Sequence, residues 1–214
     1  MLETMMAVAI LVILMIGAFH QILKAQASYR VEDQKLEMTQ QQREFIDQFT
    51  RDLHQAGYPS PTSLNVTALG DNRIAAGLFS ITNNSVTMEG DLDGNGVQIV
   101  TYAYSAGAGC PGGTSCILRT SVAKTGGVPE TTAVVQNVID PGNQGIFTAY
   151  RSDGVPVVLP LGPAGATTDD GTYQQLRGIK SVRVTLTLQG AGREMDGAHT
   201  LQVNMTGTAR IPNN

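Results

Sequence analysis

The chain has 214 residues, room for one domain beside a long helix, and carries 14 Lys and Arg against 18 Asp and Glu for a formal charge of −4. With 15% charged residues and no basic patch in view, composition excludes a nucleic-acid-binding surface as its main purpose. Twenty-four glycines, abundant Thr, Val and Asn, and no Trp describe a turn-rich β domain rather than a helical one.

Met5–Phe19 (MMAVAILVILMIGAF) is an unbroken apolar run with one acidic residue, Glu3, just ahead of it and no formal charge between Thr4 and Leu23. As a helix rising about 1.5 Å per residue, the uncharged stretch covers roughly 30 Å, the hydrocarbon thickness of a bilayer. A secretory signal would need a basic segment before the run and a small-residue cleavage site after it, and neither is there. A buried helix apolar all round would need a large helical body to cover it, whereas the rest of the chain reads as β. The run is therefore expected to reside in a membrane. An ionised carboxylate at the bilayer edge is costly unless paired, which leaves two readings for Glu3. It is either a helix-start carboxylate favoured by the helix dipole at the aqueous interface, or a carboxylate awaiting a cation from another subunit.

From Gln21 to Ala56 the composition turns polar, yet Tyr29, Leu36, Phe45, Ile46, Phe49 and Leu53 fall largely at helical spacing with no Pro or Gly among them. One helix is expected to run through, its second half offering an apolar stripe, Leu36–Leu53, to a sheet. It should stop at Ala56-Gly57-Tyr58-Pro59-Ser60-Pro61, where Gly57 suits a left-handed C-cap and the prolines forbid continuation. A helix of about 55 residues would be roughly 80 Å long, a spine rather than a globular helix. The division that follows is residues 1–57 as spine helix (1–23 apolar, 24–57 amphipathic) and 58–214 as a β-rich body. Arg51 and Asp52, beside Leu53, are expected to be solvated.

After the prolines, strands are expected at Val97–Tyr104, Cys116–Val122, Ala133–Ile139, Ile179–Leu188 and Thr200–Arg210, separated by Gly, Asn and Asp turns. Val182, Val184, Leu186 and Leu188 alternate with Arg183, Thr185, Thr187 and Gln189, so one face is buried and the other wet. Leu201, Val203 and Met205 repeat the pattern, with Gly190–His199 as a hairpin connection. Short connections imply one antiparallel sheet, packed on the spine in an α+β arrangement. The segments Pro59–Asn95 and Pro141–Gly178 read as loops.

Asp91-Leu92-Asp93-Gly94-Asn95-Gly96 has the spacing that opens a Ca²⁺ loop, with Glu89 or a backbone carbonyl as the further ligand. Tyr102 stands where an EF-hand needs its final Glu, so an EF-hand is excluded. A plain hairpin turn uses the same residue types, and both readings stay open. Cys110 and Cys116 are joined by small residues that allow their Cα atoms to reach bridging distance. A structural disulfide is expected there, worth about 2 kcal/mol on the loop-entropy model, and it places the body in an oxidising compartment. Lys24 and Arg30 follow the apolar run, which by charge bias alone would put the body in the cytoplasm; a cleaved basic leader would reverse that. Gly107, Gly109 and Gly112 match a dinucleotide fingerprint but precede a strand instead of a helix. His20, His54 and His199 are scattered, and no acid, base and nucleophile set can be named, so no enzymatic activity and no obligatory cofactor are expected.

Met-Leu-Glu followed by an unbroken apolar helix resembles the N-terminal segment of type IV pilins and pseudopilins. The segment Arg43–Tyr58 (REFIDQFTRDLHQAGY), ending in Arg51, Asp52, Leu53, Ala56, Gly57 and Tyr58, is similar to the end of the spine in PilW-like minor pilins. The resemblance implies a type IV pilin-like fold, a spine helix with an antiparallel sheet on its C-terminal half. It implies that Glu3 is the assembly glutamate, which pairs with the N-terminal amine of a neighbouring pilin subunit in the filament. It further implies prior residence in the bacterial inner membrane with the body in the periplasm, then in the pilus at the cell surface, and processing by prepilin peptidase. Only Met1 and Leu2 precede Glu3 and no basic leader ending in Gly stands ahead, so a leader and two mature residues are expected to be missing from the sequence. The function implied is that of a minor pilin in type IV pilus assembly. The alternatives are a pseudopilin of a type II secretion system or a membrane-anchored adhesive or ligand-binding domain.

Overall fold

The computed structural model describes residues 2–140, 145–193 and 200–212. One helix, α1, runs without interruption from Leu2 to Gln55. It stops where the Ala56 N–H still bonds the Asp52 carbonyl at 3.0 Å while the Gly57 N–H turns away to the Glu89 carbonyl at 2.9 Å. Gly57 has φ 81°, the left-handed conformation that glycine adopts without strain.

Among the described residues the body is built of two antiparallel sheets rather than the expected one. The first is a meander of β1 (Leu78–Ile81), β2 (Ser85–Gly90), β3 (Gln98–Ser105), β4 (Cys116–Ala123) and β5 (Glu130–Gln136) in spatial order. The second is centred on β8 (Ile179–Arg193), with β9 (Thr200–Arg210) on one side and β6 (Val138–Ile139) and β7 (Phe147–Arg151) on the other. The expected strand Ala133–Ile139 is divided between them at Asn137, whose φ of 58° breaks the extended backbone. The stretches read as loops contain β1, β2, β7 and a short helix, α2 (Gly171–Arg177). Asp170 caps α2 by accepting the Thr172 and Tyr173 N–H groups at 2.9 and 3.0 Å. The expected turn Gly190–His199 is shorter in fact: β8 continues to Arg193 past a register shift, and residues 194–199 lie outside the described ones.

The two halves of α1 have different surroundings. Every residue from Glu3 to Ala27 is exposed, whereas Met38, Gln42, Phe45, Phe49, Leu53 and Ala56 form a buried line at helical spacing. The expected stripe is shifted: Tyr29 and Leu36 are 67% and 61% exposed. Leu36 lies two residues before Met38, about 200° around the helix, and so faces away from the body. Phe45, Phe49, Tyr102 and Phe147 form the aromatic centre, with ring centroids 5.2–5.8 Å apart in stacked, edge and tilted pairs. Along β8 the alternation holds for Val182, Val184, Leu186 and Leu188 inside and Arg183 and Thr185 outside, but Thr187 is buried as well. Gly207 in β9 lets α1 approach closely, since a Cβ there would sit 2.7 Å from Ile46 Cγ2.

Candidate functional site

Among the described residues, no part of the body buries the apolar half of α1. That half is long and apolar enough to cross a membrane. The large side chains Met5, Met6, Val8, Ile10, Leu11 and Ile13 all lie open, along with those that follow to Leu23. An exposed apolar surface of this extent is of the kind that marks an interaction site, whether with lipid or with other apolar surfaces. Glu3 stands in the first turn, exposed, at the end where the helix dipole favours negative charge.

What fixes the body to the other half of α1 is partly polar, and the sequence reading missed it. Asp52, expected in solvent, is only 8% exposed. Its Oδ2 accepts the Tyr102 hydroxyl at 2.7 Å and Arg119 Nε at 3.0 Å, and Arg119 Nε also lies 3.2 Å from the phenol oxygen. Burial, and then the adjacent Asp52 charge, push the Tyr102 phenol far above its ordinary pKa, so it remains a donor. Burial opposes the charge on Arg119, but Asp52 and Tyr102 outweigh it and raise its pKa. The sequence did hold the information, because Asp52 lies seven residues after Phe45 and three after Phe49, on the buried side. Arg51, as expected, is exposed.

Gln42, fully buried, donates from Nε2 to the carbonyls of Leu186 and Val203 at 3.2 and 3.0 Å, tying α1 to β8 and β9. Its Oε1 has no hydrogen-bond partner among the described residues. Within the body, Lys124 Nζ reaches Glu89 Oε2 of β2 at 2.6 Å and the carbonyls of Leu69 and Ile74 at 2.6 and 2.9 Å. Glu89 Oε2 also accepts the Ala76 N–H at 2.9 Å.

The Asp91–Gly96 turn holds its carboxylates on backbone donors. Asp91 Oδ1 accepts Gly94 N–H at 2.8 Å and Gly96 N–H at 3.3 Å, Asp93 Oδ1 accepts Asn95 N–H at 2.9 Å, and Asp93 Oδ2 accepts Gln98 Nε2 at 2.7 Å. The bonds from Asn95 are the main reason the Asp93 pKa lies below the ordinary carboxylate range. Glu89, the further ligand considered for calcium, is turned inward onto Lys124. Among the described residues no three His, Cys, Asp or Glu side chains gather as a metal cage. Of the four bonds to the Asp91 and Asp93 carboxylates, three come from backbone N–H groups of the turn itself, as in an Asp-rich turn, and the fourth from the Gln98 side chain. Cys110 and Cys116 are bridged, with Cα atoms 5.7 Å apart, and close the loop that leads into β4.

Comparison with protein-family models, with curated proteins and with solved structures finds no match to this chain.

Proposed function

We propose that the chain is a structural subunit of the type IV pilin kind, most like a PilW-like minor pilin, held in a membrane by its apolar helix half and then assembled by helix packing. The observation that carries this reading is the division of one uninterrupted helix: residues 3–27 are exposed and mostly apolar, while Met38–Ala56 is gripped by two sheets. A simple anchor needs no rigid continuation into the body, whereas a subunit that stacks rod against rod does.

Moving the apolar half from lipid into a bundle of like helices changes apolar burial little, because both surroundings are apolar. What distinguishes one register from another must then come from polar groups, and Glu3 is the only formal charge on this half before Lys24. Paired with the amine of a neighbouring subunit in a low-dielectric core, its carboxylate would select the register that brings the two together. Glu3→Ala should leave membrane insertion intact, measured by resistance to alkaline extraction, and reduce incorporation into filaments. Incorporation equal to that of the unmodified chain would count against the proposal.

A further inference from the structure

On the proposed reading, rods pack side by side, and the surface distribution of charge indicates how their bodies meet. Strands β7, β8 and β9 carry Arg151, Lys180, Arg183, Arg193 and Arg210 and contain no Asp or Glu, although the chain as a whole is acidic. At the end of this sheet, beside His54 near the close of α1, Arg151, Lys180 and Arg210 line an open groove of about 720 Å³ with Ser152 and Ser181. Asp153, in the adjoining turn, accepts the Val155 N–H at 3.0 Å.

The opposite charge lies on α1. Asp33, Glu37, Glu44 and Asp47 are exposed, and at about 100° per residue they fall within an arc of roughly 80° on the side facing away from the buried Met38–Leu53 line. No Lys or Arg falls inside that arc between Asp33 and Asp47: Arg43 lies about 40° beyond its edge and Lys35 on the opposite side of the helix, while exposed Arg51, one turn past Asp47, is the next cation on the same line. Among the described residues no salt bridge joins the two surfaces within one chain. Measured along α1, the arc lies 7 to 21 residues before His54, or roughly 10–30 Å. A parallel copy displaced along the rod by that distance brings its acidic arc level with the basic groove.

We infer that the groove of Arg151, Lys180 and Arg210 is the docking surface for the acidic face of α1, Asp33 to Asp47, of a second copy of this chain. This rests on the helix-stacking reading above. The apolar halves supply the area of association, and the charge pairing fixes the axial offset of the bodies.

The native cysteines are bridged and no free thiol is present, so introduced cysteines report alone. Two differently tagged full-length chains are placed together in proteoliposomes. One carries Gln40→Cys, inside the acidic arc, and the other Ser152→Cys, in the groove; both sites are exposed. A bismaleimide should join them. Arg151→Glu with Arg210→Glu should lower the yield at least fivefold, and Glu44→Arg with Asp47→Arg in the other chain should restore it. A pair of Met6→Cys chains reports packing of the apolar halves separately. Cross-linking at Met6 without any between Gln40→Cys and Ser152→Cys overturns this inference alone, whereas failure at Met6 overturns the stacking reading too. A yield unchanged by charge reversal also refutes the inference. So does protection of Ser152→Cys by added polyphosphate in chains that never cross-link, which would assign the groove to a soluble polyanion.

Discussion

Replacing Lys124 by Met tests whether the body depends on its buried ion pair. Lys124 and Glu89 side chains are 6% and 3% exposed, and all three ammonium protons have acceptors, in Glu89, Leu69 and Ile74. Met fills most of the same volume but leaves the Glu89 carboxylate facing the Ala76 N–H alone and deprives two carbonyls of their donor. Removing one member of a buried pair costs about 3–5 kcal/mol, a large part of the roughly 5–15 kcal/mol available to a domain. The orphaned carbonyls add less than their separate values, because the segment Leu69–Ile74 can move outward to water once released. For a body of this size each kcal/mol lowers Tm by about 2–4 °C, so a fall of roughly 6–20 °C is expected. Near-ultraviolet circular dichroism of the full chain in detergent micelles follows the body's tyrosines without interference from the helix signal. Glu89→Gln added to Lys124→Met removes the uncompensated charge and should recover part of the loss. If Lys124→Met lowers Tm by less than about 3 °C, or if the two losses simply add, the pair is not the restraint described here.

Tyr102 supplies a pH test. Because its folded pKa is raised, its contribution is fully present below the ordinary Tyr value of about 10 and is lost as pH rises above that, when the unfolded chain ionises first. Tyr102→Phe should therefore cost about 1–3 kcal/mol near pH 8, where Asp52 loses a donor, and progressively less above pH 10. A cost that is the same at pH 8 and pH 10.5 in denaturant titrations would refute the assignment. Gly207→Ala forces a Cβ against Ile46 Cγ2 and should cost about 1–3 kcal/mol. Ile46→Ala in the same chain should then be less harmful than on its own, and the lack of any such coupling would mean that α1 and β9 do not touch as described.

The long elements of the fold were legible because each follows a single period over many residues. The spine declared itself by helical spacing and by Gly57 with the prolines after it, and β8 and β9 by alternation. The parts that were not legible are short or change period. β1 and β2 are four and six residues long, and β1 buries its ends while its middle is half-covered, so no alternation shows. Asn137 takes a left-handed conformation without being glycine, which hid the passage from one sheet to the other. The cap of α2 was readable in Asp170 before Thr172 and Tyr173, with Gly178 at the far end, but a seven-residue helix gives the periodicity little to act on. Asp52 was misread because charge was taken to mean exposure, when its place on the Phe45–Phe49 side called for a buried partner. At the candidate site the sequence supplied nearly everything, since an apolar run headed by Glu3 needs no tertiary structure to be seen.

The structure also fixes which experiment can separate a stacking subunit from an anchored binding domain. Both sheets hold α1, the first through Asp52 with Tyr102 and Arg119 and the second through Gln42 with Leu186 and Val203. The chain just beyond the helix is hydrogen-bonded to β2 at Gly57. None of these holds involves residues 3–27, which are exposed throughout. Exchanging residues 4–23 for an unrelated transmembrane helix of equal length, with Glu3 retained, should therefore leave the melting of the body unchanged within about 2 °C. Stability alone cannot distinguish the two readings, and neither can insertion, because any sufficiently apolar helix inserts. Incorporation into filaments can: packing against sister helices depends on the particular shape of the Met5–Phe19 surface, so the exchanged chain should insert, fold and fail to assemble. Undiminished assembly of that chain would make the native helix an anchor and nothing more.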